Sequence, residues 1–451
     1  MESGSEWTKW DLHIHTPISF EWAGKRYNGD DSHDDKLTAE VVKKIQSTDI
    51  SVFGVMDYWT FEGYKRVRSY IAGMATPPSQ LVLPGIELRM QAPTNFRLNT
   101  HVLFDSNVQD SALDTFLSTL RIAFHTELPV TGDNFVKLGE SYDRGKIEKH
   151  GFKEADRTDN EKMRRLGMMT AEITQASLQT ALGSLGDSEC YLVIQPYDTS
   201  DGLEKLDWAE HPCSDSYLMK SAHMFETRKA ASIDLFLGRE LREKPEISQA
   251  FLDNIGGYPK PVTSGSDAHR VADYGNFPNG KATWFKAHPS FHGLRQVCVE
   301  PSARCYIGPE PDKVSHVRNN ATKYIKKLAI AKVDAKQSEK WFDGADLPLN
   351  AGLVAIIGNK GSGKSALADI LALCGNAHCP SMEFLNKKRF CENEERAQAF
   401  EATLTWADDT STTIPLNRGY DEDKPERVRY LPQQAIETLC NCNPPEKPLE
   451  G

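Results

Sequence analysis

Short apolar stretches alternate with amphipathic helical patterns over the first three hundred residues. The apolar stretches are four to six residues long, and most end at or just before a polar residue. Patterns of buried strands occur at 10–15, 52–56, 81–86, 100–104, 191–194, 222–226 and 261–264. Helical patterns occur at 37–47, where Thr38 is the candidate N-cap, and at 111–124 and 171–185. This alternation predicts an α/β fold, a parallel β/α barrel in which functional residues collect where the strands end.

Two segments interrupt the pattern. Residues 132–170 are polar, charged and rich in glycine, which predicts a solvated insertion and not another barrel unit. Prolines at 301, 309 and 311 indicate a boundary, and a basic helix is predicted over 317–330. We therefore expect a barrel domain over 1–310, a linker helix within 311–340 and a second domain over 341–451.

The second domain opens with a phosphate-binding motif. Residues 351–357 predict a buried strand, and 366–374 predict a helix. Between them lies a GxxxxGKS sequence formed by Gly358, Asn359, Lys360, Gly361, Ser362, Gly363, Lys364 and Ser365. In such a loop the backbone amides surround phosphate oxygens, the lysine supplies charge to the outer phosphates, and the serine hydroxyl binds Mg²⁺. The motif predicts ATP and Mg as ligands.

Composition limits the function classes. The chain has 451 residues, 39% of them hydrophobic and 26% charged, which is typical of a soluble globular protein of two or three domains. No apolar run approaches the length of a membrane span, and nine cysteines without a CxxC pair suit reduced thiols, so we expect a cytoplasmic protein. A net charge of −11 argues against a surface that binds nucleic acid as a whole, although a local basic groove is compatible with it.

Candidate metal ligands begin on the first strand. Side chains alternate between faces along a strand, so Asp11, His13 and His15 share one face. Two imidazoles at the end of a strand are a metal-ligand arrangement. Further ligand-type residues end or follow other predicted strands, namely Asp57, Glu87, Asp198, Asp267 and His269, and His101 lies at the start of the strand pattern at 100–104.

These motifs, in this order, resemble the PHP (polymerase and histidinol phosphatase) family. The resemblance covers roughly the first three hundred residues and implies a distorted (β/α)7 barrel that holds one to three metal ions and hydrolyses phosphoesters. It implies one metal site from His13, His15, Glu87 and Asp267. A second site would share Glu87 and use His101, and a third would use His269. These six residues are the candidate catalytic set.

Two positions depart from the family pattern. Tyr58 and Gln195 stand where the family usually has histidine. Glu21, Asp57 or Asp198 are oxygen donors that could replace the missing imidazoles. Carboxylate donors favour a harder ion such as Mn, and the expected metals are Mn, Zn or Fe.

The second domain resembles the N-terminal lobe of SMC/Rad50-type ABC ATPases. Antiparallel strands are predicted at 402–406 and 414–416, and a strand at 427–434 ends in glutamines, with Gln433 or Gln434 in the position of the Q-loop glutamine. No Walker B strand, signature motif or coiled-coil run follows Ser365. We therefore expect that the chain is a fragment or that a homodimer or second polypeptide completes the ATPase. A barrel joined to such a lobe resembles the TrlF-like PHP–ATPase proteins.

Together these features lead to one leading hypothesis and two alternatives. The leading one is a metal-dependent nuclease on DNA or RNA, coupled to an SMC-like ATPase, with a role in antiviral defence or repair implied by resemblance only. One alternative is an ATP-dependent nucleic-acid clamp with a regulatory barrel, which the missing imidazoles motivate. The other is a small-molecule phosphatase.

Overall fold

The computed structural model describes residues 4–94, 96–124, 127–207, 209–239, 245–333, 341–379 and 382–432. The chain divides into two compact units: Glu6–Pro311, and Asp312–Gly451 together with Met1–Ser5. Across the described part of the chain, every helix is too short or too polar to cross a membrane.

The larger unit alternates strands and helices as expected. Its strands are β1 (Glu6–Ile14), β2 (Ile50–Val55), β3 (Leu81–Met90), β4 (Leu98–Phe104), β5 (Arg121–Ile122), β6 (Leu128–Pro129), β7 (Tyr191–Pro196), β8 (Met224–Glu226), β9 (Val262–Thr263), β10 (Ala282–Ala287) and β11 (Cys305–Gly308). Its helices are α1 (Asp31–Gln46), α2 (Glu62–Ala72), α3 (Asp110–Thr119), α4 (Gly132–Glu140), α5 (Arg144–Lys149), α6 (Asn160–Thr170), α7 (Gln175–Gly183), α8 (Pro212–Ser221), α9 (Ala230–Phe236), α10 (Pro245–Asn254), α11 (Phe291–Val299) and α12 (Pro301–Arg304).

The sheet curls into a nearly closed barrel. Among the described residues it has nine strands in the order β11-β10-β1-β2-β3-β4-β7-β8-β9. The segment that follows β9 returns to β1, where the Asp267 amide donates to the His13 carbonyl at 2.9 Å and the His15 amide donates to the Ala268 carbonyl at 3.1 Å. Residues after the last barrel strand therefore lie beside the histidines of the first.

The barrel is not fully parallel. β4 runs antiparallel to both β3 and β7, because only seven residues connect β3 to β4 and so short a link makes a hairpin instead of a helical crossover. β10 and β11 extend the sheet beyond β1 in antiparallel fashion. The expected (β/α)7 barrel is thus correct in its strand and helix alternation, and wrong in the direction of one strand.

The insertion over 132–170 is helical and packed, so the expectation of a solvated segment is wrong. Phe135 of α4 joins the main hydrophobic core, while Ile147, Met163 and Leu166 form a small core of their own. Gly167 lets α4 and α6 approach closely, since a Cβ there would lie 2.0 Å from the Phe135 carbonyl oxygen. Its glycines therefore serve helix packing as well as turns.

Helix α1 begins earlier than expected. Asp30 is its N-cap and accepts the His33 amide hydrogen at 2.8 Å. Thr38 lies inside the helix, buried, with its hydroxyl donating to the Asp34 carbonyl. The cap was misplaced because the first turn is polar and carries no apolar periodicity.

The smaller unit is built on an antiparallel sheet of four described strands, in the order β13-β12-β14-β15. Its elements are α13 (Asp312–Asn319), β12 (Ile325–Lys332), β13 (Ala345–Pro348), α14 (Lys364–Cys374), α15 (Glu394–Gln398), β14 (Phe400–Trp406) and β15 (Ser411–Pro415). The antiparallel pair near 402–416 is confirmed by β14 and β15. Ile370 and Leu373 of α14 pack into the same core as Phe400 and Leu404 of β14.

Three expectations in this unit are wrong. The helix predicted over 317–330 ends at Asn319, and 325–332 form β12, so 311–340 is not a linker helix. Residues 351–357 form no strand, and Leu353 and Ile357 are 96% and 88% exposed, because no described strand pairs with this segment. Of the strand predicted at 427–434, the described residues 427–432 form no strand.

Candidate metal centre and phosphate-binding loop

Five predicted ligands meet inside the barrel. His13 lies on the inner face of β1 and His15 directly follows that strand; both are buried, and their rings are 5.2 Å apart. Glu87 of β3 reaches both, with its Oε2 3.4 Å from His13 Nε2 and 3.5 Å from His15 Nε2. On the opposite side Asp267 Oδ1 lies 3.4 Å from His13 Nε2 and 3.6 Å from His15 Nε2. The fifth, His101 of β4, is paired in register with Glu87, and its Nε2 lies 3.6 Å from Glu87 Oε1.

The ligand-type atoms fall into three overlapping groups, each with atoms within 4.8 Å of one another. These are His13, His15 and Glu87; His13, His101 and Glu226; and His15, Asp267 and His269. His269 lies at the edge, with its Nε2 3.6 Å from Glu21 Oε2. The predicted residues of all three sites are therefore brought together, and Glu21 lies beside the third.

Several of these buried atoms have no hydrogen-bond partner. They are His13 Nε2, both ring nitrogens of His15, Glu87 Oε2, His101 Nε2 and His269 Nε2. A buried polar atom without a hydrogen-bond partner costs about 1–3 kcal/mol. Six such atoms in one place therefore indicate a shared partner that satisfies them together. Imidazole nitrogens and carboxylate oxygens are ligands of transition metals, and the residues fit divalent ions.

The protonation states of His15, Asp267 and Glu226 suit metal binding. The exception is His13: burial lowers its pKa, but Glu226 and Asp267 outweigh this and raise it well above its usual value, so a metal ion would displace a proton from that ring. Burial lowers the pKa of His15 to about 4, which leaves its ring neutral at pH 7. Burial raises the pKa of Asp267, but the neighbouring His13 and His15 outweigh this and lower it to about 2. The pKa of Glu226 is lowered in the same way, because His13 and His101 outweigh its burial. Neutral imidazole and charged carboxylate are the forms that bind cations.

Two predicted ligands do not join the cluster. Asp57 accepts hydrogen bonds from the Thr16 amide at 2.8 Å and its hydroxyl at 2.7 Å, and lies 3.9 Å from His15 Nδ1. Asp198 accepts from the amides of Arg228 and Lys229 at 2.9 and 3.0 Å. Both carboxylates stabilise backbone next to the cluster, and neither belongs to any of the three ligand groups.

The residues that replace histidine also support the site. The Tyr58 ring stacks on His15, with centroids 5.1 Å apart and 9° between the planes. Gln195 donates through Nε2 to the Asn99 carbonyl at 2.7 Å, and Asn99 donates to Glu87 Oε1 at 2.5 Å. These positions therefore hold the ligands in place instead of adding to them.

Sequence reasoning missed Glu226. Its Oε2 lies 3.1 Å from His13 Nδ1 and 3.6 Å from His101 Nδ1, so one buried carboxylate contacts two imidazoles. The sequence did contain a signal for Glu226, because this residue ends the strand pattern at 222–226, just as Glu87 follows the strand pattern at 81–86. Asn99 donates hydrogen bonds from Nδ2 to Glu87 and to Asp201, and no strand pattern in the sequence pointed to Asn99 or Asp201.

The cluster opens into a cleft of about 320 Å³ that also contains three arginines, Arg89, Arg97 and Arg228. Burial and the nearby Arg97 guanidinium lower the pKa of Arg89. Arg228 Nη2 lies 3.5 Å from Glu226 Oε1. Three guanidinium groups thus line the cleft beside the candidate metal ligands, and guanidinium groups are suited to bind anions such as phosphate.

The predicted phosphate-binding loop precedes α14, which begins at Lys364. Gly358, Gly361 and Gly363 have φ of 156°, 87° and 91°, values that favour glycine. Lys364 Nζ donates to the carbonyls of Gly358 and Asn359 at 2.8 and 2.9 Å. The helix predicted over 366–374 is confirmed and begins two residues earlier, at Lys364, whereas the strand predicted before the loop is not formed. Gln433 and Gln434 lie outside the described residues.

Comparisons with known proteins do not identify a family. No family profile matches the chain, and no curated protein matches it significantly. Among solved structures it is similar to an amidohydrolase from Chromobacterium violaceum with bound sulfate and no metal, at 14% identity and a TM-score of 0.35, covering 60% of this chain and 91% of that one. It is also similar to a protein described as a metal-dependent phosphoesterase from Bifidobacterium adolescentis, at 12% identity and a TM-score of 0.30, covering 59% and 90%. At these identities and TM-scores the likeness does not indicate a function.

Proposed function

We propose that the barrel is a divalent-metal-dependent phosphoesterase and that its substrate is a nucleic acid. The observation that carries the proposal is the convergence of His13, His15, His101, Glu87 and Asp267, with unpaired buried atoms, in a cleft that also contains three arginines. Bound metal ions would act there as Lewis acids and would lower the pKa of a bound water.

The chain's own residues hold the substrate and the ligands. Arg228 is suited to bind a phosphate oxygen, since its Nε is buried and has no hydrogen-bond partner. Tyr58 stacks on His15 and keeps that side of the imidazole from water. Hydrolysis of one phosphodiester consumes one water and yields a phosphomonoester and an alcohol.

The test is phosphodiester hydrolysis by the purified chain with Mn²⁺, on single-stranded DNA, duplex DNA and RNA, together with metal analysis. His13→Ala and Asp267→Asn should lose bound metal and turnover, while His292→Ala, an exposed histidine on α11, should retain both. Less than about one bound metal ion per chain would favour the alternative of a nucleic-acid clamp whose barrel is regulatory and not catalytic. Faster turnover of a generic phosphate monoester than of any oligonucleotide would favour the small-molecule phosphatase.

For the smaller unit we propose nucleotide binding at residues 358–365, coupled in an SMC-like manner to the barrel. The left-handed glycines and the start of α14 support it. Because no Walker B or signature motif follows Ser365, the chain alone should bind ATP weakly and show no turnover above background. Binding should weaken further in Lys364→Ala, and hydrolysis by the barrel should not need ATP. Steady ATP turnover that Lys364→Ala removes would contradict this assignment.

A further inference from the structure

Arg89 is a buried cation without a close counter-ion. It lies on β3 two residues after Glu87, so both side chains are on the inner face of the barrel. Its side chain lines the cleft, the residue is 5% exposed, and its Nε has no hydrogen-bond partner. No carboxylate of the described chain lies within 4.0 Å of it; Glu87, Glu21 and Glu172 act on it only at longer range. A buried guanidinium in this state is stabilised by an anion from outside the chain.

Arg97 adds a second positive charge at the same wall. It directly precedes β4, the hairpin partner of β3, and lines the same cleft. Its contact with Glu21 is long, at 3.7 Å between Nη1 and Oε1, and its side chain is 47% exposed. Two like charges on one hairpin repel each other, so a doubly charged anion between them would stabilise both.

Arg228 occupies a different wall. It follows β8, and the strand order β3-β4-β7-β8 separates it from Arg89 by three strand spacings, about 14 Å along the sheet. Arg228 is the arginine next to Glu226, with the His13 and His101 ligands beyond it. The cleft therefore offers two anion-binding positions on either side of the ligand cluster.

We propose that Arg89 and Arg97 bind a second phosphate of the substrate, next to the one that is hydrolysed. This inference rests on the proposed function and specifies its substrate class: phosphodiesters with a neighbouring phosphate, as in an oligonucleotide with a terminal phosphate. A diester with a single phosphate would leave this pair unused.

The test compares dinucleotides with and without a terminal phosphate, placed at the 5′ or the 3′ end. The wild-type chain with Mn²⁺ should cleave one phosphorylated form with a kcat/KM about tenfold or more above that of the unphosphorylated form. Arg89→Met and Arg97→Met should remove this preference, so that kcat/KM becomes equal for the phosphorylated and the unphosphorylated forms. Arg89→Lys should retain part of it. Arg144→Met, an exposed arginine paired with Glu148, is the matched control and should keep it fully.

Each failure has its own signature. Equal losses on both substrates, or no preference in the wild type, would overturn the second phosphate position and leave the phosphoesterase intact. If the wild type cleaves neither dinucleotide, equilibrium binding of the same dinucleotides to EDTA-treated protein tests the phosphate position separately from hydrolysis. Tighter binding of the phosphorylated dinucleotide, abolished in Arg89→Met, would support the second phosphate position although the chain is not a phosphoesterase. Equal binding of the two dinucleotides would overturn it. Arg97→Met, at a half-exposed position, decides if Arg89→Met does not fold.

Discussion

Glu226 orients two imidazoles at once. It faces Nδ1 of both His13 and His101, whereas the Nε2 atoms of the same rings are unpaired and lie within 3.4–3.6 Å of Glu87. A carboxylate on the far nitrogen of a metal-binding histidine fixes the ring and increases its basicity. Glu226 is thus best explained as a positioning residue that prepares two Nε2 atoms for metal.

Glu226→Gln should therefore lower metal affinity by about 10–100-fold, since an amide cannot serve both imidazoles as a charged acceptor. Turnover should fall with metal content and recover in part at higher Mn²⁺ concentration. The measurement is a metal titration followed by activity. Glu204→Gln, an exposed glutamate paired with Lys229, is the matched control. Unchanged affinity in Glu226→Gln would show that the imidazoles are held by other contacts.

Four ligand-type residues show which site positions the sequence can predict and which it cannot. The period of two along β1 was enough to place His13 and His15 together, because strand geometry alone determines it. Asp57 also ends a strand, yet it turns back to Thr16, and Glu226 ends a strand and faces the ligands. Which of two such carboxylates points inward depends on the barrel's curvature, which strand patterns do not contain.

At the scale of elements, apolar patterns predicted where a strand could form better than they predicted whether it would be paired and buried. β2 and β7 lie where their patterns predicted, because a short apolar run between turns has few alternatives. The run at 353–357 has the same composition but no described neighbour strand, so it remains exposed. Strand formation needs a pairing partner, and a local pattern does not show whether one is present.

Helix α8 shows how one distant residue stabilises an element. Lys260, 1% exposed, donates from Nζ to the carbonyls of Met219 and Lys220 at 3.0 and 2.9 Å, and also to that of Ala222. These groups lie at the C-terminal end of α8, where helix carbonyls lack internal partners and a cation is favoured. β8 follows directly, so this contact helps to place Glu226.

Lys260→Met should lower the free energy of unfolding of the barrel by about 1–3 kcal/mol, because the apolar stem is kept while the carbonyls lose their donor. Chemical denaturation measures it. Lys220→Met, at an exposed position of the same helix, should change stability by less than about 0.5 kcal/mol. Equal effects of the two substitutions would mean that water replaces the lost donor.

For the whole molecule, the ligands come from parts of the chain that are far apart in sequence. His13 is on β1, Glu87 on β3, His101 on β4, and Asp267 lies in the segment that closes the barrel against β1. A metal bound by all of them would join the first barrel strand to the last. No comparable cluster of ligand-type residues occurs in the described part of the smaller unit.

Metal removal should therefore destabilise the larger unit selectively. A ligand present at a hundred times its Kd stabilises the state that binds it by about 2.7 kcal/mol, so EDTA should lower the Tm of the barrel by several degrees and Mn²⁺ should restore it. Differential scanning calorimetry of the full chain measures this, and His13→Ala identifies the barrel transition because its Tm should no longer respond to EDTA. A response that persists in His13→Ala would locate the metal elsewhere. No response in the wild type would mean that the clustered imidazoles and carboxylates hold no ion, and the unpaired atoms around Glu87 would then have to be satisfied by water.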